Sequence, residues 1–302
     1  MPTQDGTEPE WRDIALLLAA RRCGALDALA TDAGTAEEVA KTADIDPVAA
    51  GRLIAALEAA GFLTRVDGAS EPTNRLLGFL TKTDLRSIGR MPGEVDAMEQ
   101  WQALPETMAG EASPEPADAF RNTLGREAAL GEARLRSEVT AAVHAAPNGD
   151  DIVVVGDGPG RRAIEFAERG WNVTLLDTAD RIEAVEPLLE HEPVELRAGT
   201  PTDVPECDLV VYAGALHEYD AERARDIVAS ASEAATTAVF LDAFRGETAG
   251  AELVDIDLLA AGAGAIHDAA AVRSWLVDAF ETVDIEPVVS SPLSAAIGRA
   301  IQ

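Results

Sequence analysis

DIVVVGDGPGRRAIEFAERGWNVTLLD, Asp151 to Asp177, is the stretch that decides how this 302-residue chain is read. An apolar run, Ile152 to Val155, enters a loop with glycines at 156, 158 and 160. A helix-like segment follows, and a second apolar run, Val173 to Leu176, ends on Asp177. Strand, glycine turn, helix, strand, acid is one half of a nucleotide-binding α/β sheet. The glycines let the backbone turn tightly and approach a ligand, and the helix start offers free N–H groups. A carboxylate ending the second strand can accept hydrogen bonds from two ribose hydroxyls. The plainer alternative is a βαβ unit with an ordinary tight turn.

The dinucleotide fingerprint G-x-G-x-x-G ends on Gly or Ala, whereas that position here is Arg161. The third glycine comes one place early, as G-x-G-x-G. This form resembles motif I of S-adenosylmethionine-dependent methyltransferases, whose ligand has no pyrophosphate.

Downstream, strands are expected at 195–197, 209–212, 238–242, 281–285 and 295–300, with helices at 221–235 and 269–279 between them. That alternation implies a mostly parallel sheet covered on both faces. Upstream, Ile14, Leu17, Leu18, Leu26 and Leu29 have helical spacing over Trp11–Ala30. Thr35 and Asp46 read as N-caps, the latter followed by Pro47. A hairpin with Asp67-Gly68 at its turn and a return strand over Glu71–Leu76 follows. Helices and a two-stranded wing make a winged helix. Residues 100–122 read as a connector, and Thr123–Ala145 as a helix ended by Pro147-Asn148-Gly149. The expected organisation is 1–95, winged helix; 96–148, connector and linking helix; 149–302, sheet domain.

Winged helices suggest DNA, but the candidate recognition helix 46–61 carries one arginine and two acids. Residues 1–90 hold 10 Lys/Arg against 14 Asp/Glu, so no basic footprint for phosphates exists. The whole chain carries a formal charge of −30, with 22 arginines and only 2 lysines. Such acidity repels nucleic acid and suits a protein soluble in molar salt, as in a halophile. At that salt the Debye length is about 3 Å, so charge hydrates the surface more than it steers ligands. Cys23 and Cys207 have no metal-ligand spacing and read as small hydrophobes in a reduced compartment. No apolar run is long enough to span a membrane, so a soluble cytoplasmic protein is expected.

A winged helix followed by G-x-G-x-G resembles the small-molecule O-methyltransferase family typified by caffeic-acid, hydroxyindole and carotenoid O-methyltransferases. VVVGDGPG (153–160) is similar to its glycine loop, and LLD (175–177) to its ribose-binding acid. AGTPTDVPECDLVV (198–211) is similar to its entry into the fourth strand, and ALHEYDAERARDIV (215–228) to its histidine motif. The resemblance covers nearly the whole chain. It implies a Rossmann-like class I methyltransferase sheet with an N-terminal dimerisation domain that forms a homodimer and binds no DNA or membrane. It implies S-adenosyl-L-methionine as cofactor and a small-molecule hydroxyl as substrate, with no metal. Gly156, Asp157, Gly158, Gly160 and Asp177 become cofactor residues. Gly199, Thr200 and Asp203 fall near the adenine, although the family has an acid where Thr200 stands. His217 becomes the general base, since imidazole titrates near neutrality, and Asp242 its orienting partner. A second helper acid has no clear match in GAGAIHDAAAV (262–272), where His267 or Asp268 are the candidates. The alternatives are a cofactor-binding or regulatory protein without catalysis, and a nicotinamide-dependent oxidoreductase.

Overall fold

The computed structural model describes residues 10–31, 33–80 and 85–300, and the chain divides into two compact units, one through Ala129 and one from Leu130. The polar stretch 1–9 lies outside the described residues.

The first unit runs α1 (Trp11–Arg22), α2 (Ala25–Ala30), α3 (Ala36–Ala43), α4 (Pro47–Ala59), β1 (Leu63–Val66), β2 (Ala69–Pro72), α5 (Asn74–Leu80), α6 (Leu85–Ile88), α7 (Met91–Gln102), α8 (Leu104–Met108) and α9 (Ala119–Ala128). Thr35 and Glu38 form a reciprocal capping box on α3, and Asp46 accepts from the Ala49 N–H to start α4. Asp67 (φ 47°) and Gly68 (φ 91°) close the β1–β2 hairpin in the twisted turn that positive φ at both positions allows. Leu17, Leu18, Leu57, Phe62, Leu76 and Val95 centre the core.

The structure departs from the expectations at several points. The helix read over Trp11–Ala30 breaks at Gly24, whose φ of 77° no helix interior accommodates. The return strand stops at Pro72 rather than Leu76, because Thr73 turns its N–H and hydroxyl onto the carbonyls of Phe62 and Gly61 and opens α5. The expected connector, 100–122, is helical at both ends and irregular only at Ala103 and over 109–118. Pro105 is the second residue of α8, in the first turn, where a missing N–H costs no intrahelical hydrogen bond. Because α7 packs on α1 and α9, the first unit extends past residue 95 to Ala129.

The second unit opens with α10 (Glu132–Ala145), which the expected 123–145 helix joins only after a break at Ala129–Gly131. Then come β3 (Asp151–Val155), α11 (Arg161–Glu168), β4 (Asn172–Asp177), α12 (Ala179–Leu189), β5 (Val194–Ala198) and β6 (Cys207–Ala213). A 3-10 turn (Leu216–Glu218) leads to α13 (Ala221–Ala234), β7 (Ala235–Asp242), β8 (Phe244–Arg245), α14 (Ala251–Ala261), β9 (His267–Asp268), α15 (Ala269–Ala279), β10 (Thr282–Pro287) and β11 (Ser294–Arg299).

The main sheet has the order β10-β11-β7-β6-β3-β4-β5. Strands β3 to β7 are parallel, and β11 runs antiparallel to both its neighbours. This is the mixed α/β fold expected from the sequence. Ile152–Val155 are almost inaccessible because helices cover both faces, which is why the strand reads as a continuous apolar run. Chain order reverses between β3 and β6, so a crevice opens at their carboxyl ends. Tyr212, stacked on Phe240 at 4.8 Å, fills the sheet beneath it. Among the described residues no helix is long and apolar enough to cross a membrane.

Candidate functional site

Four parallel strands end around one cavity. Val155 ends β3 and Gly156 follows it, Leu176 and Asp177 end β4, Gly199 and Thr200 follow β5, and Ala213 ends β6 with Gly214 and Ala215 after it. Arg181 on α12, Glu218 and Tyr219 complete the rim.

The glycine loop builds this wall indirectly. Gly156 (φ 72°) lines the cavity, whereas Gly158 and Gly160 shape the turn. Gly160 (φ 76°) starts α11, and a Cβ there would stand 2.8 Å from Leu189 Cδ1 and 3.5 Å from Leu175 Cδ2. Gly160→Ala should therefore destabilise the protein by about 1–2 kcal/mol, from the left-handed backbone alone. A denaturation midpoint unchanged from wild type would contradict this.

Asp157 does not face the cavity. Its Oδ2 accepts from the Arg162 and Ala163 N–H groups at 2.7 and 2.9 Å, capping α11, and its Oδ1 accepts from Arg162 Nη1 at 2.8 Å. Arg162 reaches on to Glu138 Oε2 on α10. Glu138 Oε1 accepts in turn from Arg134 and Ser291. The arginine that follows the glycine loop is thus the centre of a buried ionic chain. Sequence reading missed it because Glu138 lies 24 residues away.

Asp177 is different. Its Oδ1 accepts from the Thr178 N–H at 2.8 Å, with Arg181 Nε at 4.0 Å. Its Oδ2 is buried and has no hydrogen-bond partner among the described residues. Burial pushes this carboxyl above the ordinary 3.8, and Arg181 and the Thr178 N–H offset that only in part. Arg181, in the first turn of α12, lies four residues after Asp177, which ends β4.

Thr200 lies on the wall, and Asp203 turns back onto it. Asp203 Oδ2 accepts from the Thr200 N–H and hydroxyl, both at 2.7 Å. Those two hydrogen bonds hold the Asp203 carboxyl below its ordinary range. Tyr212 pins the same loop by donating to the Pro201 carbonyl at 2.9 Å.

His217 stands in the 3-10 turn after β6, beside the cavity rather than on its wall. Its Nδ1–H donates to Asp242 Oδ1 at 2.7 Å, and its backbone N–H donates to Asp242 Oδ2 at 3.2 Å. Asp242 ends β7, almost wholly buried, opposite Ser294 of β11. With Nδ1 committed to the carboxylate, Nε2 carries the free lone pair and has no hydrogen-bond partner among the described residues. Burial works against the imidazolium, yet the hydrogen bond and charge of Asp242, with Glu218, raise the His217 pKa above 6.5. Among the described residues no cluster of His, Cys, Asp or Glu has metal-binding geometry. The arrangement can hold a polar ligand against Asp177 and accept a proton beside it.

No protein-family model matches the sequence, and no curated protein does. Solved structures do match over nearly their full length. The N,N-8-amino-8-demethyl-D-riboflavin dimethyltransferase RosA from Streptomyces davawensis is 20% identical, with 96% of each chain covered and a TM-score of 0.70. PigF with SAH is 16% identical, again with 96% of each chain covered, at TM-score 0.67. Human N-acetylserotonin methyltransferase in complex with SAM is 18% identical over 96% of this chain and 94% of that one, at TM-score 0.64. The fold is therefore that of the class I methyltransferases of this type.

Proposed function

We propose that the second unit binds S-adenosylmethionine and directs its methyl group to a hydroxyl of a small molecule, with His217 as the base. The unpartnered Oδ2 of Asp177 carries this reading. A buried acceptor left without a donor costs about 1–3 kcal/mol, and a ribose brings two hydroxyl donors. Gly156 keeps backbone rather than side chain against that position, and Gly199 and Thr200 offer a neutral wall for a base. The residues present thus fit the nucleoside, and the solved structures similar to this chain that hold SAM or SAH support the choice.

When bound, the cofactor supplies an electrophilic sulfonium methyl. His217 contributes by taking the proton from the acceptor hydroxyl at Nε2, which makes that oxygen the better nucleophile. Asp242 holds the tautomer and stabilises the imidazolium that results. Asp157, with Arg162, holds the start of α11 and so the loop that frames the cavity. Asp203 fixes Thr200.

We assign the first unit to pairing two copies of the chain, with the 1–95 segment as its winged-helix part, in a protein adapted to molar salt. Exposed Trp11, Val48, Met108 and Phe120 support an apolar contact surface there. Sedimentation in molar salt should return a dimer mass.

Calorimetry with S-adenosylmethionine, S-adenosylhomocysteine and NAD tests the cofactor directly. Asp177→Asn should weaken binding of the first two by about 10- to 100-fold, the worth of hydrogen bonds to a charged group. The pH dependence has a definite sign. Donors on the ligand favour the ionised carboxylate, so affinity rises as pH climbs through the elevated Asp177 pKa, and binding releases a proton below that point. Affinity flat from pH 3.8 to neutrality would remove Asp177 from the ligand.

A further inference from the structure

A single 3-10 turn cannot fix its own orientation, yet the turn Leu216–Glu218 must aim an imidazole. Asp242 grips it from one side. From the other side it is held by the strap between α14 and α15. His267 Nε2–H donates to the Leu216 carbonyl at 3.0 Å, and the Ala265 N–H donates to the His217 carbonyl at 3.0 Å. Gly264 (φ 87°) crosses so close that a Cβ would lie 2.0 Å from the His217 carbonyl oxygen. The strap is itself anchored. The Ile266 N–H donates to Asp255, Arg245 bridges Asp255 and Asp268, and β9 pairs with β8 through Phe244 and His267. The His267 ring stands edge-on to Trp275 at 5.1 Å.

We propose that His267 is a positioning residue for His217: by donating to the Leu216 carbonyl it holds the turn so that His217 Nδ1 stays on Asp242. This rests on the reading of His217 as the base. A carbonyl can only accept, so His267 must carry its proton on Nε2, and the imidazolium would keep the same donor. His267 therefore acts as a strut and not as an acid or base, filling the place where sequence comparison sought a second helper acid. The neighbouring charges that bear on His217 are those of Asp242 on β7 and Glu218 on its own turn.

The test is an NMR titration of the His217 ring in the full chain without ligand, alongside calorimetry with S-adenosylhomocysteine. His267→Phe keeps a ring against Trp275 but removes the donor; His267→Gln keeps a donor at the place of Nε2. The phenylalanine variant should bring the His217 pKa down toward 6.5 and lower kcat about 10- to 100-fold, with ligand affinity unchanged. The glutamine variant should restore both. A His217 titration identical in wild type and His267→Phe overturns the proposal, and so does a glutamine variant that matches phenylalanine. Should the titrations move as expected while the wild type methylates no acceptor, the strut stands and the catalytic reading falls.

Discussion

Alanine at position 217 is expected to lower methyl transfer by about 10²- to 10⁴-fold, the span usual for loss of a general base, while cofactor affinity stays as in wild type. The separation follows from placement. His217 stands beside the cavity, whose wall is made by Ala215, Glu218 and Tyr219 at that point, so truncating the imidazole removes the base and leaves the ligand's contacts. The pH profile should carry the same signature. Only neutral His217 can accept a proton, and its pKa lies above 6.5 because Asp242 and Glu218 outweigh burial. Activity should therefore rise with pH through a value above 6.5. Asp242→Asn removes the charge that raises it and should move that limb downward. Stopped-flow or single-turnover rates across pH measure both. Normal turnover by the alanine variant would end the assignment.

Arg162→Met should be the most destabilising single change near the site, by about 3 kcal/mol. Removing one partner from a buried ionic group typically costs about 3–5 kcal/mol, because the remaining charges lose their compensation. The lower end applies here. Asp157 keeps two backbone N–H donors, and Glu138 keeps Arg134 and Ser291. Denaturant midpoints report the loss. Adding Glu138→Leu to Arg162→Met should recover part of it, since Glu138→Leu removes one of the two carboxylates that lost the guanidinium. A double variant less stable than the sum of the singles would contradict the ionic account. The change should also loosen the start of α11, so ligand affinity should fall with stability.

The sheet and its ligand edge were legible in the sequence for a physical reason. Strands covered on both faces must be largely apolar, and Ile152–Val155 is a continuous apolar run, while Val173, Leu175 and Leu176 are buried with only Thr174 interrupting them. The glycine turn and Asp177 follow at spacings the chain path requires. The neighbourhood of His217 and Asp242 could be expected only from resemblance, because the two lie 25 residues apart and meet through the pairing of β6 with β7. Short-range signals misled where tertiary contacts decide. Asp157 looks like a ligand contact within the loop, but a buried arginine claims it. Leu76 looks like the end of a strand, but Thr73 redirects the backbone. Pro105 and its neighbours look like a linker, but proline also begins helices. The strap over the histidine turn was unreadable, since its grip depends on backbone carbonyls, which every residue has.

Strand β11, 294–299, lies inside the sheet rather than at its border, and it sets Ser294 across from Asp242. Its partner β7 is made well before it, the paired positions running from Ser294–Asp242 to Arg299–Thr237, so β7 has to wait for it. Ribosomal synthesis must therefore pass position 294 before that carboxylate gains its neighbour. Until then β7 offers an open edge. A nascent chain of this protein needs shielding longest at a border that the finished molecule does not possess.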